Sequence, residues 1–425
     1  MKIAVVGLGH IGLPLAVQYA SRGHEVTGVD MDERIVETLN RGEPPHADEE
    51  ALVDRVPRLV TDGLLRATTW AEPSGVRAAE AVIVIVPVVV DDRRAIDFGP
   101  IDSATRDLAA NLSSGVLVVY ETTLPVGTTR NRFGPMLARG SGLELDRDLF
   151  LAFSPERVLV GRVLLDLQRY PKIVGGTSAE STRRAVELYR SVLEEGTEVW
   201  AVTNAETAEM TKLAETTYRD VNIAYANELA RYAARREIDV TEVIGAANSQ
   251  PYSHIHQPGL GVGGHCIPVY PHFLYNDEPD LRLPPIARQI NESMARFTVD
   301  KIEDRVGSLD GQPVLVLGIA YRGDVNEDAF SSAFRLRDEL LAAGARVHGH
   351  DPYFTPDHIR DHGFEPYELG SSVPVRVAIL QAAHEAYRSL DPATMPGLEM
   401  FVDGRNALER EPFDRAGVRY VGIGR

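Results

Sequence analysis

Cysteine is almost missing from this chain: one thiol, Cys266, in 425 residues. A lone cysteine excludes an internal disulfide framework and suits a reducing compartment, the cytoplasm. Basic residues are outnumbered by acidic ones, 44 against 62, for a formal charge of −18. That deficit argues against nucleic-acid or anionic-membrane binding. It still permits an anionic small ligand, which needs only a local patch of N–H groups and a few cations. Long apolar runs are lacking as well. The most apolar, Ala81–Val90, contains Pro87 and falls far short of the ~20 residues of a membrane span. The start, Lys2-Ile-Ala-Val-Val-Gly7, is strand-like and is not a signal peptide. No low-complexity tract interrupts the chain. With 44% hydrophobic and 25% charged residues, the composition is that of a globular protein. The length asks for two or three domains.

What is present is organised around Pro258-Gly-Leu-Gly-Val-Gly-Gly-His-Cys266-Ile-Pro268. Glycines Gly259, Gly261, Gly263 and Gly264 keep this segment out of a helix, so it forms a loop with bare backbone N–H groups that a ligand can approach closely. Taken alone, Cys266 is more often a buried filler than a nucleophile. The N-terminus changes those odds. The apolar run Lys2–Val6 leads into Gly7-Leu-Gly9-His-Ile-Gly12 and then the apolar-periodic Leu13–Ser21. Strand, glycine turn and helix together form a dinucleotide fingerprint: a tight turn, close approach of backbone to a pyrophosphate, and helix packed on strand. A second strand, Glu25–Val29, ends at Asp30, placed to bond a ribose 2′-hydroxyl and to favour NAD over NADP.

The remaining pattern alternates strands and helices. A helix is expected over Arg34–Arg58 and strands over Leu64–Thr68, Ala81–Val86, Val116–Val119 and Leu149–Phe153. Two strand ends carry chemistry: Glu121-Thr-Thr-Leu-Pro-Val-Gly-Thr-Thr129, whose hydroxyls either meet a ligand or cap a helix, and Ser154-Pro-Glu156-Arg, whose glutamate is an acid/base or a solvated loop charge. Lys172–Val174 and Glu198–Val202 complete this part. Asn204 to about Arg236 holds no Pro or Gly and predicts a helix of about 45–50 Å, long enough to link domains and to face a second subunit. Helices are expected over Asn291–Val306 and Ser331–Ala343. Strands Pro313–Gly318, Arg346–Gly349 and Val375–Leu380 repeat the N-terminal logic without its glycines. The fold class is therefore α/β, with two Rossmann-like doubly wound domains joined by a long central helix: residues 1–203, a central region 204–305 bearing the Cys loop, and 306–425.

These segments, with Lys212-Leu-Ala-Glu, Tyr218-Arg-Asp-Val-Asn-Ile-Ala224, Asn227-Glu-Leu, Ala287-Arg-Gln-Ile-Asn291 and Asp403-Gly-Arg-Asn406, occur in one order along the chain. In that ordered set the chain resembles the UDP-glucose/GDP-mannose dehydrogenase family, and within it the UDP-N-acetylhexosamine 6-dehydrogenases. The resemblance implies an NAD domain, a central dimerising helix, a C-terminal nucleotide-sugar domain and a homodimer. It also implies oxidation of a sugar C6 hydroxyl to a carboxylate with two NAD, through a Cys thioester. It calls for NAD and for no metal. It makes Cys266 the nucleophile, Lys212 the cation beside the oxyanion, Glu156 the acid/base, and Thr123 and Thr216 reacting-site hydroxyls. Gly7, Gly9, His10, Ile11, Gly12, Asp30, Pro87 and Thr123 fall to the cofactor. Glu156, Lys212, Tyr252, Gly263, Tyr270 and Arg322 fall to the substrate.

Several positions depart from the family pattern. Thr216 replaces an asparagine, Tyr270 an aspartate, Tyr252 and Ala329 arginines, and Arg322 a lysine; Pro87-Val-Val89 replaces Pro-Thr-Pro. Losing a group worth ~3–4 kcal/mol to a transition state slows a step by about 10²–10³. The leading expectation is a uronate-forming dehydrogenase with a shifted sugar. The alternatives are an NAD-using enzyme that stops at the aldehyde or oxidises transiently, as an epimerase or dehydratase does, and a non-catalytic binding homologue.

Overall fold

The computed structural model describes residues 1–46, 50–91, 95–158, 161–167, 170–276 and 278–425. It divides into two compact units, Met1–Ala214 and Glu215–Arg425.

The first unit is built on eight strands: β1 (Lys2–Val6), β2 (Glu25–Val29), β3 (Leu65–Thr68), β4 (Ala81–Val84), β5 (Val116–Tyr120), β6 (Leu149–Phe153), β7 (Lys172–Gly176) and β8 (Val199–Ala201). Their order is β8-β7-β6-β5-β4-β1-β2-β3. The chain reverses direction of travel across the sheet between β1 and β4, the switch point where open α/β sheets receive ligands. Strands β4, β5 and β6 are buried along their whole length, as apolar runs covered on both faces must be. One pairing departs from the parallel rule: β7 runs antiparallel to β6, pairing Ala152 with Gly176 and Phe153 with Gly175. Helix α1 (Gly12–Ser21) is buried from Gly12 to Ala20 and packs in the core.

The helix expected over Arg34–Arg58 is two helices, Glu33–Asn40 and Glu50–Thr61. The sequence between them, Gly42-Glu-Pro-Pro45, cannot continue a helix. The long helix, α2 (Ala205–Ala234), has 30 residues, about 45 Å. Asn204 starts it by accepting the Thr207 N–H at 2.9 Å.

The second unit carries a six-stranded parallel sheet of β9 (Pro313–Leu317), β10 (Arg346–His350), β11 (Glu365–Pro366), β12 (Val377–Leu380), β13 (Met400–Asp403) and β14 (Arg419–Gly422). Its order, β11-β10-β9-β12-β13-β14, again places the switch between the first strand and the fourth. The unit also holds α3 (Tyr270–Tyr275), α4 (Leu283–Glu292), α5 (Met294–Val306), α6 (Ser332–Ala342) and α7 (Pro356–Asp361). The helix expected from Asn291 begins earlier, at Leu283, and is interrupted at Ser293, whose hydroxyl turns back to the Ile290 carbonyl at 2.7 Å. Among the described residues, no helix is long and apolar enough to cross a membrane.

Candidate active site

The glycine turn of the first unit has the shape a dinucleotide needs. Gly7 takes φ +95° and donates its N–H to the Val29 carbonyl at 2.8 Å. A Cβ on Gly12 would lie 1.8 Å from the Gly7 carbonyl oxygen, so only glycine lets α1 pack this closely. A Cβ on Gly9 would meet no protein atom within 4 Å. That open space beside the start of α1 fits a pyrophosphate, and the residues present therefore fit NAD. Asp30 stands at the end of β2, and its carboxylate accepts the Leu8 N–H at 2.8 Å and the Asp32 N–H at 3.0 Å. Those bonds fix its direction beside the glycine turn and leave each oxygen a lone pair for a ribose hydroxyl. The ring of His10 lies 4.5 Å from that of His46. Pro87 is exposed just beyond β4.

Glu156 is not a solvated loop charge. Lys172, the first residue of β7, donates to Glu156 Oε2 at 2.7 Å and to Glu121 Oε2 at 2.9 Å. Tyr19 and Tyr189 donate to Glu121 Oε1 at 3.2 and 2.5 Å. The lysine and Glu121 are buried, and Glu156 nearly so. Burial is the largest influence on all three groups. It lifts Glu121 from 4.5 to about 7, with Lys172 opposing and Glu156 adding to the rise. It pushes Glu156 upward too, but Lys172 and hydrogen bonds from Glu121, Lys172 and the Arg157 N–H outweigh it and hold that carboxyl below its usual range. Lys172 ends above its usual value because the two carboxylates overcome its burial. Glu156 is thus an ionised, fixed acceptor, suited to orienting a hydroxyl or a water more than to deprotonating a weak acid.

The threonines past β5 divide between the two roles expected for them. Thr122 donates to the Val86 carbonyl at 2.7 Å. Thr129 donates its hydroxyl and its N–H to Glu209 Oε1 at 2.6 and 2.8 Å, and Gly127 donates its N–H to Oε2 at 2.5 Å. These are structural bonds. Thr123 is buried and takes no part in those bonds. Lys212, one turn beyond Glu209 on α2, is also buried.

Burial raises Glu209 from 4.5 to about 7, against its bonds from Thr129 and Gly127. A carboxyl raised in the folded state contributes stability that is full below its unfolded value and lost as pH climbs through the folded one. The difference corresponds to about 3 kcal/mol. Between about pH 5 and about pH 8, the wild type should therefore lose about 2.5 kcal/mol more stability than Glu209→Gln, whose amide cannot ionise. Urea midpoints at the two pH values check this, and parallel losses would refute it.

In the second unit the Cys266 loop is held at several points. Gly259 donates its N–H to Asn227 Oδ1 at 2.9 Å, and Asn227 Nδ2 donates to Asn291 Oδ1 at 2.9 Å. Asn291 Nδ2 reaches Asp220 Oδ1 at 2.8 Å, and Arg288 Nε reaches Asp220 Oδ2 at 2.7 Å. All four side chains are buried. The helical motifs around Asp220, Asn227, Arg288 and Asn291 are therefore the loop's foundation. Arg405 donates to the Gly261 carbonyl at 3.2 Å and to Gln381 Oε1 at 2.9 Å. Gly264, at φ +89°, donates its N–H to the Ala329 carbonyl at 2.8 Å. A Cβ on Gly263 would lie 2.9 Å from the Phe330 carbonyl oxygen. Half-buried Cys266 follows, and its carbonyl accepts the Tyr270 N–H at 2.9 Å, opening α3.

The departing positions fall in three settings. Thr216 is fully buried and Tyr270 half-buried, its ring 5.5 Å from Phe273. Tyr252 is 92% exposed. Arg322 Nε donates to the Tyr321 hydroxyl at 3.1 Å, and Tyr321 itself packs on Gly263 and Gly264.

Lys172 escaped the sequence reading because a lysine opening an apolar strand looks like an edge charge. Asp220, Arg288 and Arg405 were visible only as motif members. The signal available for each was a charge inside an otherwise apolar element.

Residues 1–193 match the NAD binding domain of the UDP-glucose/GDP-mannose dehydrogenase family, 206–294 its central domain, and 315–410 its UDP binding domain. A UDP-N-acetyl-D-mannosamine dehydrogenase of Pyrococcus horikoshii is 34% identical, with 100% of this chain and 99% of the relative aligned. A solved UDP-D-ManNAc dehydrogenase from Pyrococcus horikoshii superposes with TM-score 0.89 at 32% identity, covering 100% of this chain and 99% of the other. An NDP-N-acetyl-D-galactosaminuronic acid dehydrogenase from Methanosarcina mazei does so with TM-score 0.86 at 32% identity, covering 100% and 95%.

Proposed function

Because the chain belongs to the UDP-glucose/GDP-mannose dehydrogenase family, we propose that it oxidises the C6 hydroxyl of a UDP-N-acetylhexosamine to a carboxylate. Whole-length similarity to N-acetylhexosamine dehydrogenases carries this reading. NAD, bound at the glycine turn, supplies the acceptor for both hydrides. The protein's part begins when the hydroxyl has become an aldehyde. The Cys266 thiolate forms a C–S bond to that carbon while the carbonyl pair moves onto oxygen, where the Lys212 ammonium stabilises it. Loss of the second hydride leaves a thioester. Water then adds to the acyl carbon and the C–S bond breaks, returning the thiolate and releasing the uronate. Glu156, ionised by Lys172, orients the attacking water, and Thr123 supplies a hydroxyl to the same chemistry. Thr216 joins Thr123 as a reacting-site hydroxyl, and Tyr252, Gly263, Tyr270 and Arg322 shape the substrate side. His10, Ile11 and Pro87 flank the cofactor with Gly7, Gly9, Gly12 and Asp30.

The division into residues 1–203, 204–305 and 306–425 follows these duties: cofactor, thiol loop, nucleotide. The working unit in this reading is a homodimer. Tyr218, Tyr225 and Tyr232 recur every seventh position of α2 and are 53, 52 and 50% exposed. That spacing lays them along one side of the helix, an apolar stripe suited to a second copy. A reducing, cytoplasmic location keeps the thiol available.

The test is stoichiometric. Purified protein given NAD and a panel of UDP- and GDP-sugars should release two NADH per N-acetylhexosamine, with a uronate product. One NADH per sugar, or sugar conversion without net NADH, replaces this reading with a two-electron or transient oxidation. Thr216 and Tyr270, where the family carries an asparagine and an aspartate, give that alternative its basis. Tyr270→Asp should accelerate uronate formation by about 10-fold or more if an inherited hydrolysis step has been degraded. A fall in activity would mean that the tyrosine serves this chain's own substrate.

A further inference from the structure

Three ligand-type side chains of the second unit converge outside the reacting set. His358 lies in α7 and His362 directly follows it, a four-residue spacing that puts both on one side of the helix. Asp328 comes from the segment ahead of α6. Its Oδ2 is 2.7 Å from His358 Nε2 and 3.1 Å from His362 Nε2. The three candidate ligand atoms lie within 4.8 Å of one another. Both imidazoles are braced: Phe354 stacks on His358 at 4.4 Å, and Phe334 on His362 at 4.8 Å. The side chains are 38, 35 and 21% exposed, so water can reach the cluster.

We propose that Asp328, His358 and His362 bind one divalent transition-metal ion of the zinc class, completed by water. Two imidazoles and one carboxylate are borderline donors that suit zinc, whereas magnesium and calcium prefer oxygen alone. Donors bound to a tetrahedral zinc stand about 3.3 Å apart. The two carboxylate–imidazole separations, 2.7 and 3.1 Å, would have to open by roughly 0.6 and 0.2 Å to reach that spacing. Without a metal, Oδ2 is hydrogen-bonded to one imidazole, His358, and lies within ion-pair reach of the other, His362.

The position gives such an ion a consequence. Asp328 immediately precedes Ala329, whose carbonyl holds Gly264, two residues before Cys266. An ion here would tie α7 to the segment that braces the thiol loop, a positioning role.

Full-length protein stripped with a chelator should bind one zinc per chain by calorimetry and metal analysis. His358→Ala and His362→Ala should each weaken binding by about 100-fold or more, beyond the 10–100-fold typical of outer-shell losses. Asp328→Asn, which keeps the side chain's shape, should weaken it too, and circular dichroism confirms that each variant is folded. Cys266→Ser should bind zinc as the wild type does, which separates the site from the free thiol. Cobalt should occupy the same site with d–d absorption and no thiolate charge-transfer band. No zinc uptake, uptake unchanged in the double variant His358→Ala/His362→Ala, or uptake lost in Cys266→Ser would each overturn the assignment.

Discussion

Cys266→Ser should abolish uronate formation, by about 10³-fold or more, while NAD binding persists. The magnitude follows from the chemistry. At neutral pH a thiol holds a few per cent of a very strong nucleophile, whereas a serine hydroxyl without a base holds essentially none. The exchange removes little else. The loop's anchors, at Gly259, Gly261 and Gly264, are backbone groups that neither side chain touches. The Cys266 carbonyl still starts α3. A first oxidation, if retained, would yield at most one NADH per sugar and leave the aldehyde or its hydrate, separable from the uronate by mass spectrometry. Undiminished uronate would remove the thiol from the reaction and leave water attacking the aldehyde directly.

That the thiol segment is a loop was legible in the sequence because glycine's constraint is local; that its N–H groups at Gly259, Leu260 and Gly264 are bonded to distant residues, and not bare as expected, was not. Glycines crowding one segment forbid a helix, and the G-x-G-x-x-G turn declares itself through the strand before it and the helix after it. The same holds for β4, β5, β6 and β12, fully buried strands that are continuous apolar runs. The parts that escaped depend on partners far apart in the chain. Lys172 meets Glu156 from 16 residues away and Glu121 from 51. Asp220 meets Arg288 across 68 residues, and Asn227 meets Asn291 across 64. No periodicity encodes such pairings, so the sequence leaves Glu156 an acid/base or a solvated charge and does not reveal its clamp. The helix over Arg34–Arg58 failed for the opposite reason: apolar periodicity carried the reading through Gly42-Glu-Pro-Pro45, where local stereochemistry decides. The antiparallel β7 was hidden because Lys-Ile-Val-Gly-Gly has the same pattern in either direction.

The clamp on Glu156 leads to the largest stability effect expected here. Lys172→Met keeps the length of the side chain and removes its charge, leaving Glu121 and Glu156 facing each other in the interior. Breaking a buried ion pair from one side costs about 3–5 kcal/mol, mostly because the orphaned charge stays desolvated. Two carboxylates are orphaned here, although Tyr19 and Tyr189 still donate to Glu121. Denaturant midpoints at neutral pH should register a loss in that range. The deficit should shrink as pH falls. Without the lysine both carboxyls are pushed upward by burial and by each other, so the folded variant binds protons that its unfolded chain does not, and stability returns with acid. Adding Glu121→Gln and Glu156→Gln to Lys172→Met removes all three charges and should restore stability to within about 1–2 kcal/mol of wild type, since a whole buried ion cluster is often replaceable at little net cost. Activity should not return with it. The triple variant regains a packed interior but no ionised acceptor at 156, so kcat stays low while NAD still binds. Recovery of uronate formation in that variant would show that Glu156 serves the fold alone; a loss below about 1 kcal/mol in Lys172→Met would show that water already screens the three groups.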